Sequence, residues 1–205
     1  MEYTLSTPLD KETVRKLRIG DVVYLNGKII GIRDATQRRI VDEGIEPPID
    51  LKNHVLLHTA PNARKVEGRW EKICIGTTTS ARMERYTPVL IERYGVSAVI
   101  GKGGLLESSL KAMKEFGAVY FAIVGGAAAL ETLQIERIED VFWEDLFPEC
   151  LWVFEVRDFG PLTVAMDSHG NSIYNKILSY AKEKAPVIVD TLVADLAEVF
   201  RKEVE

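Results

Sequence analysis

From Lys72 onward the chain alternates short apolar runs with helix-like segments, and that alternation narrows the possible folds more than any other feature. KICIG, SAVIG and AVYFAIV read as strands, each followed by a turn of small residues: TTTS, KGG and Gly125-Gly126. ARMERYTPVLIERYG and LLESSLKAMKEFG read as helices, with Pro88 forcing a kink or restart in the first and Gly117 closing the second. Strand, turn, helix, strand is the rhythm of a parallel sheet with crossover helices, so the predicted class is α/β.

Upstream, DVVYLNGKIIGIRD sets two β-prone runs on either side of Asn26-Gly27, which predicts a tight hairpin. Asp34 is then placed to cap a short helix, ATQRRIVDE, that Gly44 ends, with Arg33 at the joint. VLLHTA is a strand ending at Pro61. Beyond an acidic, Trp-containing stretch, LWVFEVRDF and LTVAMD are two further strands and HGN the following turn. The tail from Ile173 holds two amphipathic segments divided at Pro186.

With 26 basic and 31 acidic residues the formal charge is −5, which argues against a general nucleic-acid binder, since such a protein needs a basic footprint. A local cationic pocket for a small anion is still compatible with it. The apolar run Ala118–Leu130 is interrupted by glycines and shorter than the ~20 residues of a spanning helix. The N-terminus has acidic residues and no apolar signal core, so a soluble, cytoplasmic protein without a membrane partner is expected. Cys74 and Cys150 lie far apart among apolar residues, which predicts free buried thiols, not a metal site or a disulfide framework. His54, His58 and His169 lack ligand spacing and read as structural or solvated, with no metal site. Trp70, Trp143 and Trp152 suit packing.

In parallel α/β sheets ligands bind beyond the carboxyl ends of strands, where helix N-termini present free N–H groups. Two turns are rich at that place: Gly76-Thr77-Thr78-Thr79-Ser80, leading to Arg82, and Gly101-Lys102-Gly103-Gly104. If their strands are neighbours, Thr78, Arg82 and Lys102 converge on a site for a carboxylate or phosphate. By spacing alone the same residues also serve as ordinary caps, turns and solvated cations, and GKGG is not a Walker A.

As an ensemble, IRDATQRR, HTAP, GTTTSARMERY, IGKGG, GGAAAL and WVFEVRDFGPLTVAMDSHGN resemble the C-terminal domain of class I fumarases, or the separate β-subunit of two-chain fumarases and L-tartrate dehydratases. The resemblance runs from about Leu5 to Lys176. It implies a single swivelling β/β/α domain over 1–205, with a central sheet, βα units contributing strand-end loops, a core of about 5–176 and a C-terminal helical tail, 177–205. It also implies an α-subunit that carries a [4Fe-4S] cluster on three cysteines, no cofactor on this chain, no activity without the partner, and a dimer of αβ units. The site residues it implies are Arg33, Arg82 and Lys102 as the clamp on a dicarboxylate, and Thr78 as the base for the carbon-bound proton. The reaction would be hydration of fumarate to (S)-malate; the alternatives are an L-tartrate dehydratase β-subunit and a non-catalytic anion-binding or assembly module. Thr36-Gln37 follow Ala35 where the family commonly has His, and GTTT replaces the frequent GPTT.

Overall fold

A computed structural model of the chain describes residues 1–202. In order these are β1 (Glu2–Ser6), α1 (Lys11–Lys16), β2 (Val22–Ile32), α2 (Asp34–Val41), β3 (Val55–His58), β4 (Asn62–Val66) and β5 (Arg69–Cys74). There follow a 3-10 turn over Ser80–Met83, α3 (Thr87–Tyr94), β6 (Ala98–Gly101), α4 (Glu107–Phe116) and β7 (Val119–Ala122). A 3-10 stretch, Gly126–Gln134, leads to β8 (Ile135–Phe142), then β9 (Leu151–Met166) and α5 (Ile173–Lys202). Met1–Ser172 forms one unit, and the chain from Ile173 forms another.

The class is mixed α/β around a central sheet, as the alternation predicts. β2, β3, β6 and β7 run parallel, and the long β9 pairs antiparallel with both β7 and β2, so the pairings close into a ring. Side chains alternate across each strand. Val55, Leu57, Ala98, Ile100, Val119 and Phe121 therefore enter one core, while Leu56, Val99 and Tyr120 are equally buried on the opposite face. Burial on both faces is what a parallel sheet with covering helices requires.

Four expectations are corrected. Asn26-Gly27 is no hairpin: β2 runs through it, and its register against β9 shifts between Val23 and Leu25 and again between Leu25 and Gly27. Gly27 takes φ +98, and a side chain there would begin 2.8 Å from the Thr7 hydroxyl, so the glycine serves a bulge closely approached by β1's end. KIC closes β5, whose ladder is with β4 around Glu67-Gly68, both at positive φ, a true two-residue hairpin outside the main sheet. LWVFEVRDF and LTVAMD are a single strand, because Gly160-Pro161 falls between the Leu25–Phe159 and Val23–Leu162 pairs, where no ladder N–H is needed. Pro186 lies inside one continuous α5, since a proline removes a single helix donor and α5 has turns on both sides to carry it. The strand β8 falls in the acidic stretch, where charge masks the alternation.

The tryptophans pack as expected. Trp152 is fully buried, with Trp70 edge-on at 5.3 Å between centroids and Phe154 stacked at 6.2 Å, which seats the β4–β5 hairpin on β9. No helix among the described residues is long and apolar enough to cross a membrane.

Candidate active site

β2, β3 and β6 end side by side, because Ile32 lies opposite His58 and Leu57 opposite Ile100. Arg33 follows β2 directly and Lys102 follows β6. The Gly76–Ser80 turn is fastened across this rim. Thr59 bridges Thr77, the Thr78 N–H donates to the His58 carbonyl at 3.1 Å, Thr79 bridges Lys102, and the Ser80 N–H donates to the Lys102 carbonyl at 2.9 Å. Thr78, Arg82 and Lys102 thus meet at one rim by a route other than predicted: the strand that delivers the turn, β5, is no neighbour of β6, and the two turns pair with each other instead.

Thr78 is only 8% exposed, and its Oγ1 accepts a 2.9 Å hydrogen bond from an Arg82 terminal nitrogen, one helical turn away. The same nitrogen lies 3.1 Å from Asp34 Oδ2, and Arg33 Nε lies 3.2 Å from that oxygen. Arg33 Nε is also 3.4 Å from Glu149 Oε1. Three of the four expected residues are therefore joined through one carboxylate. The side chain of Lys102, half-buried, has no carboxylate partner among the described residues. Burial pushes the Asp34 carboxyl up, but the Arg82 hydrogen bond and the charges of Arg82 and Arg33 outweigh it and hold the pKa below the usual Asp value.

Asp34 is not the helix cap the sequence suggests. It is the first helical residue of α2, and the Ala35 N–H is taken at 2.7 Å by Glu149 Oε2, while the Thr36 hydroxyl donates to the Glu149 carbonyl. That substitution frees the Asp34 carboxylate to face the arginines. Gln37 is fully buried, and neither atom of its amide has a partner among the described residues.

Beneath the rim sits a buried histidine in the structural role that its lack of ligand spacing suggests, though its partners were not foreseen. His58 Nδ1 is 2.9 Å from Ser80 Oγ, which also accepts a 2.9 Å bond from the Tyr120 hydroxyl. Burial drives the His58 pKa down to about 3, against a smaller upward pull from Asp34. A Cβ at Gly101 would lie 2.0 Å from Ser80 Oγ, so the first glycine of GKGG is demanded by close approach. Glu84, two residues after Arg82, caps α4 from outside by accepting from the Leu106 and Ser109 N–H groups at 2.7 and 2.9 Å. The strand-end position of His58 and the ME after SAR were the available signals.

The family model described as Fumarase C-terminus matches residues 1–177. The chain belongs to the Fumarase C-terminus family. Among its relatives, the L(+)-tartrate dehydratase subunit beta of Escherichia coli K12 is 38% identical over 191 residues, 92% of this chain and 94% of that one. A Methanocaldococcus jannaschii protein, provisionally named as the same subunit, is 42% identical over 189 residues, 90% of this chain and 96% of the relative. A longer Geobacillus stearothermophilus chain, provisionally named a class I fumarate hydratase, is 40% identical over 183 residues, 88% of this chain but 35% of that relative.

For this Fumarase C-terminus chain an iron–sulfur cluster does not fit the donors present. Clusters of this kind are held by several thiolates, whereas the two cysteines here are free and Cys150 is buried, its pKa raised to about 11 chiefly by burial. No group of three or more His, Cys, Asp or Glu among the described residues is placed to hold a metal ion. What the rim offers instead is three cations, two of them already oriented, beside a hydroxyl, a set suited to a small carboxylate.

Proposed function

We propose that the chain is the β-subunit of a cytoplasmic iron–sulfur hydro-lyase that adds water reversibly to fumarate to give (S)-malate, working with an α-subunit that carries a [4Fe-4S] cluster. The observation that carries this reading is the Arg33–Asp34–Arg82–Thr78 chain of contacts at a strand-end rim that Lys102 also borders. In this reading the domain is the swivelling β/β/α type, with 5–176 as its working part, and pairs of αβ units assemble further.

Arg33, Arg82 and Lys102 hold the dicarboxylate. Removing a proton from carbon beside a carboxylate builds a dianionic aci-carboxylate, and cations already held in place stabilise it without reorganising. In the dehydration direction Thr78, as its alkoxide, takes that proton and becomes the neutral hydroxyl; in the hydration direction it returns the proton to carbon. A threonine hydroxyl is a weak base, so its alkoxide needs a donor aimed at the oxygen, and Arg82, 2.9 Å away, supplies one. The chain alone is inactive because the groups handling the hydroxyl come from the partner. L-tartrate is the second reading, favoured by full-length relatives named for it. The two substrates differ in hydroxyl content, so the polarity of the closed site decides between them.

Anaerobic mixing of the chain with a three-cysteine α-subunit tests the proposal. Consumption of fumarate, followed by loss of its absorbance, and formation of (S)-malate are expected, with neither subunit active alone. Turnover of tartrate but not fumarate transfers the assignment to the second reading; turnover of neither removes it.

A further inference from the structure

The Arg82 nitrogen that reaches Thr78 carries two hydrogens, and the structure divides them: one is directed at Asp34 Oδ2, 3.1 Å away, the other at Thr78 Oγ1, 2.9 Å away. Arg82 Nε lies at 3.5 Å from Asp34 Oδ1, so the carboxylate addresses one whole edge of the guanidinium. A guanidinium is planar and rigid, and fixing one edge fixes the directions of all its remaining donors. Asp34 Oδ2 meanwhile meets Arg33 Nε, whose other acidic neighbour is Glu149. Asp34 opens α2, where negative charge is favoured by the free N–H groups of the first turn, and the tie from Ala35 to Glu149 keeps it from turning back as a cap.

We propose that Asp34 is a positioning residue: its carboxylate grips Arg33 and Arg82 by their Nε sides, turns an Arg82 proton onto the Thr78 hydroxyl, and leaves the second terminal nitrogen of Arg82 and both of Arg33 to face a carboxylate ligand. The inference rests on the site described under Proposed function. Asp34 itself touches no reacting atom. Its loss leaves all three cations in place to bind a dicarboxylate but releases the donor that stabilises the Thr78 oxygen, so the penalty falls on turnover and not on binding.

Two measurements test it. In the reconstituted αβ enzyme, Asp34→Asn keeps the shape and removes the charge. Its kcat falls on the order of tenfold to a hundredfold, the loss expected for a charge-assisted hydrogen bond, while KM stays within about threefold. Asp34→Glu, which keeps the charge, recovers part of kcat, and the thermal midpoint of either variant stays near that of the parent. Unchanged kcat, or a raised KM at unchanged kcat, overturns the proposal. Independently of activity, nitrogen-15 spectra of the full chain show the Arg33 and Arg82 Nε–H signals, assigned with Arg33→Lys and Arg82→Lys. Asp34→Asn shifts both; signals that stay in place overturn the inference. A parent pair inactive on every dicarboxylate counts against the proposed function alone, and the spectra then decide the role of Asp34.

Discussion

Ser80 Oγ lies 2.9 Å from Nδ1 of His58, and both residues are fully buried under the turn that carries Thr78. The contact crosses from β3 to the helical turn after β5, and the Ser80 N–H continues it to Lys102. Ser80 thus ties its turn to β3 through its hydroxyl and to the Lys102 turn through its backbone N–H.

Gly101→Ala forces a Cβ to 2.0 Å from Ser80 Oγ. Overpacking of this kind costs about 1–3 kcal/mol, read as a loss of unfolding free energy in urea. Adding Ser80→Ala removes the colliding atom, so the double variant is more stable than the two single effects sum to. Simple additivity would show that the two residues do not press on each other.

His58 stays neutral in the folded chain well below its ordinary value, with a pKa of about 3. The unfolded chain takes up a proton near pH ~6.5 and the folded chain does not, so the contribution of this residue to stability declines as pH falls from there toward 3. Ring nitrogen-15 shifts at pH 5 report a neutral imidazole. A charged ring at pH 5 in the intact fold would contradict the buried contact.

Asp167, just after β9, accepts from the backbone N–H groups of His169 and Asn171, each at 3.0 Å, and of Ile19 at 3.2 Å. Burial raises its pKa, but the Asn171, His169 and Ile19 donors together lower it further. Its stabilisation is therefore complete above the unfolded value of ~3.9 and is lost as acid carries the pH down through the folded value. Asp167→Asn costs about 2 kcal/mol at neutral pH, because an amide cannot accept so many donors. Equal unfolding free energies for the two proteins would reject that account.

Thr78→Ala and Lys102→Ala in the reconstituted enzyme each lower kcat/KM by on the order of a hundredfold or more, with assembly preserved, since one removes the proposed base and the other a proposed clamp cation. Steady-state rates and gel filtration separate the two effects. Near-parental rates in both would dissolve the proposed site.

The rim was legible in the sequence because its signals are local: small residues after strands, a threonine before a helical turn, a cation within reach. The parts that were not legible depend on distant partners. Asn26-Gly27 favours positive φ whether the chain turns back or bulges, and only β9, more than a hundred residues later, decides for the bulge. Pro161 looks like a strand end until its place between two paired positions is known. Asp34 beside a helix start satisfies every local rule for a cap, yet Glu149 takes that duty. His58 reads as an isolated histidine because Ser80, which reaches it, and Tyr120, which donates to Ser80, come from other turns and strands.

A closed circuit of paired strands has no slack. Arg33, Thr78 and Lys102 are anchored at its lip, so their separation cannot widen to accept a bulkier guest without tearing hydrogen-bonded ladders apart. In the proposed enzyme, discrimination between ligands of nearly equal size then falls to the partner surface over the lip, and exchanging that surface, with this chain unaltered, is the economical way to change what the proposed pair accepts.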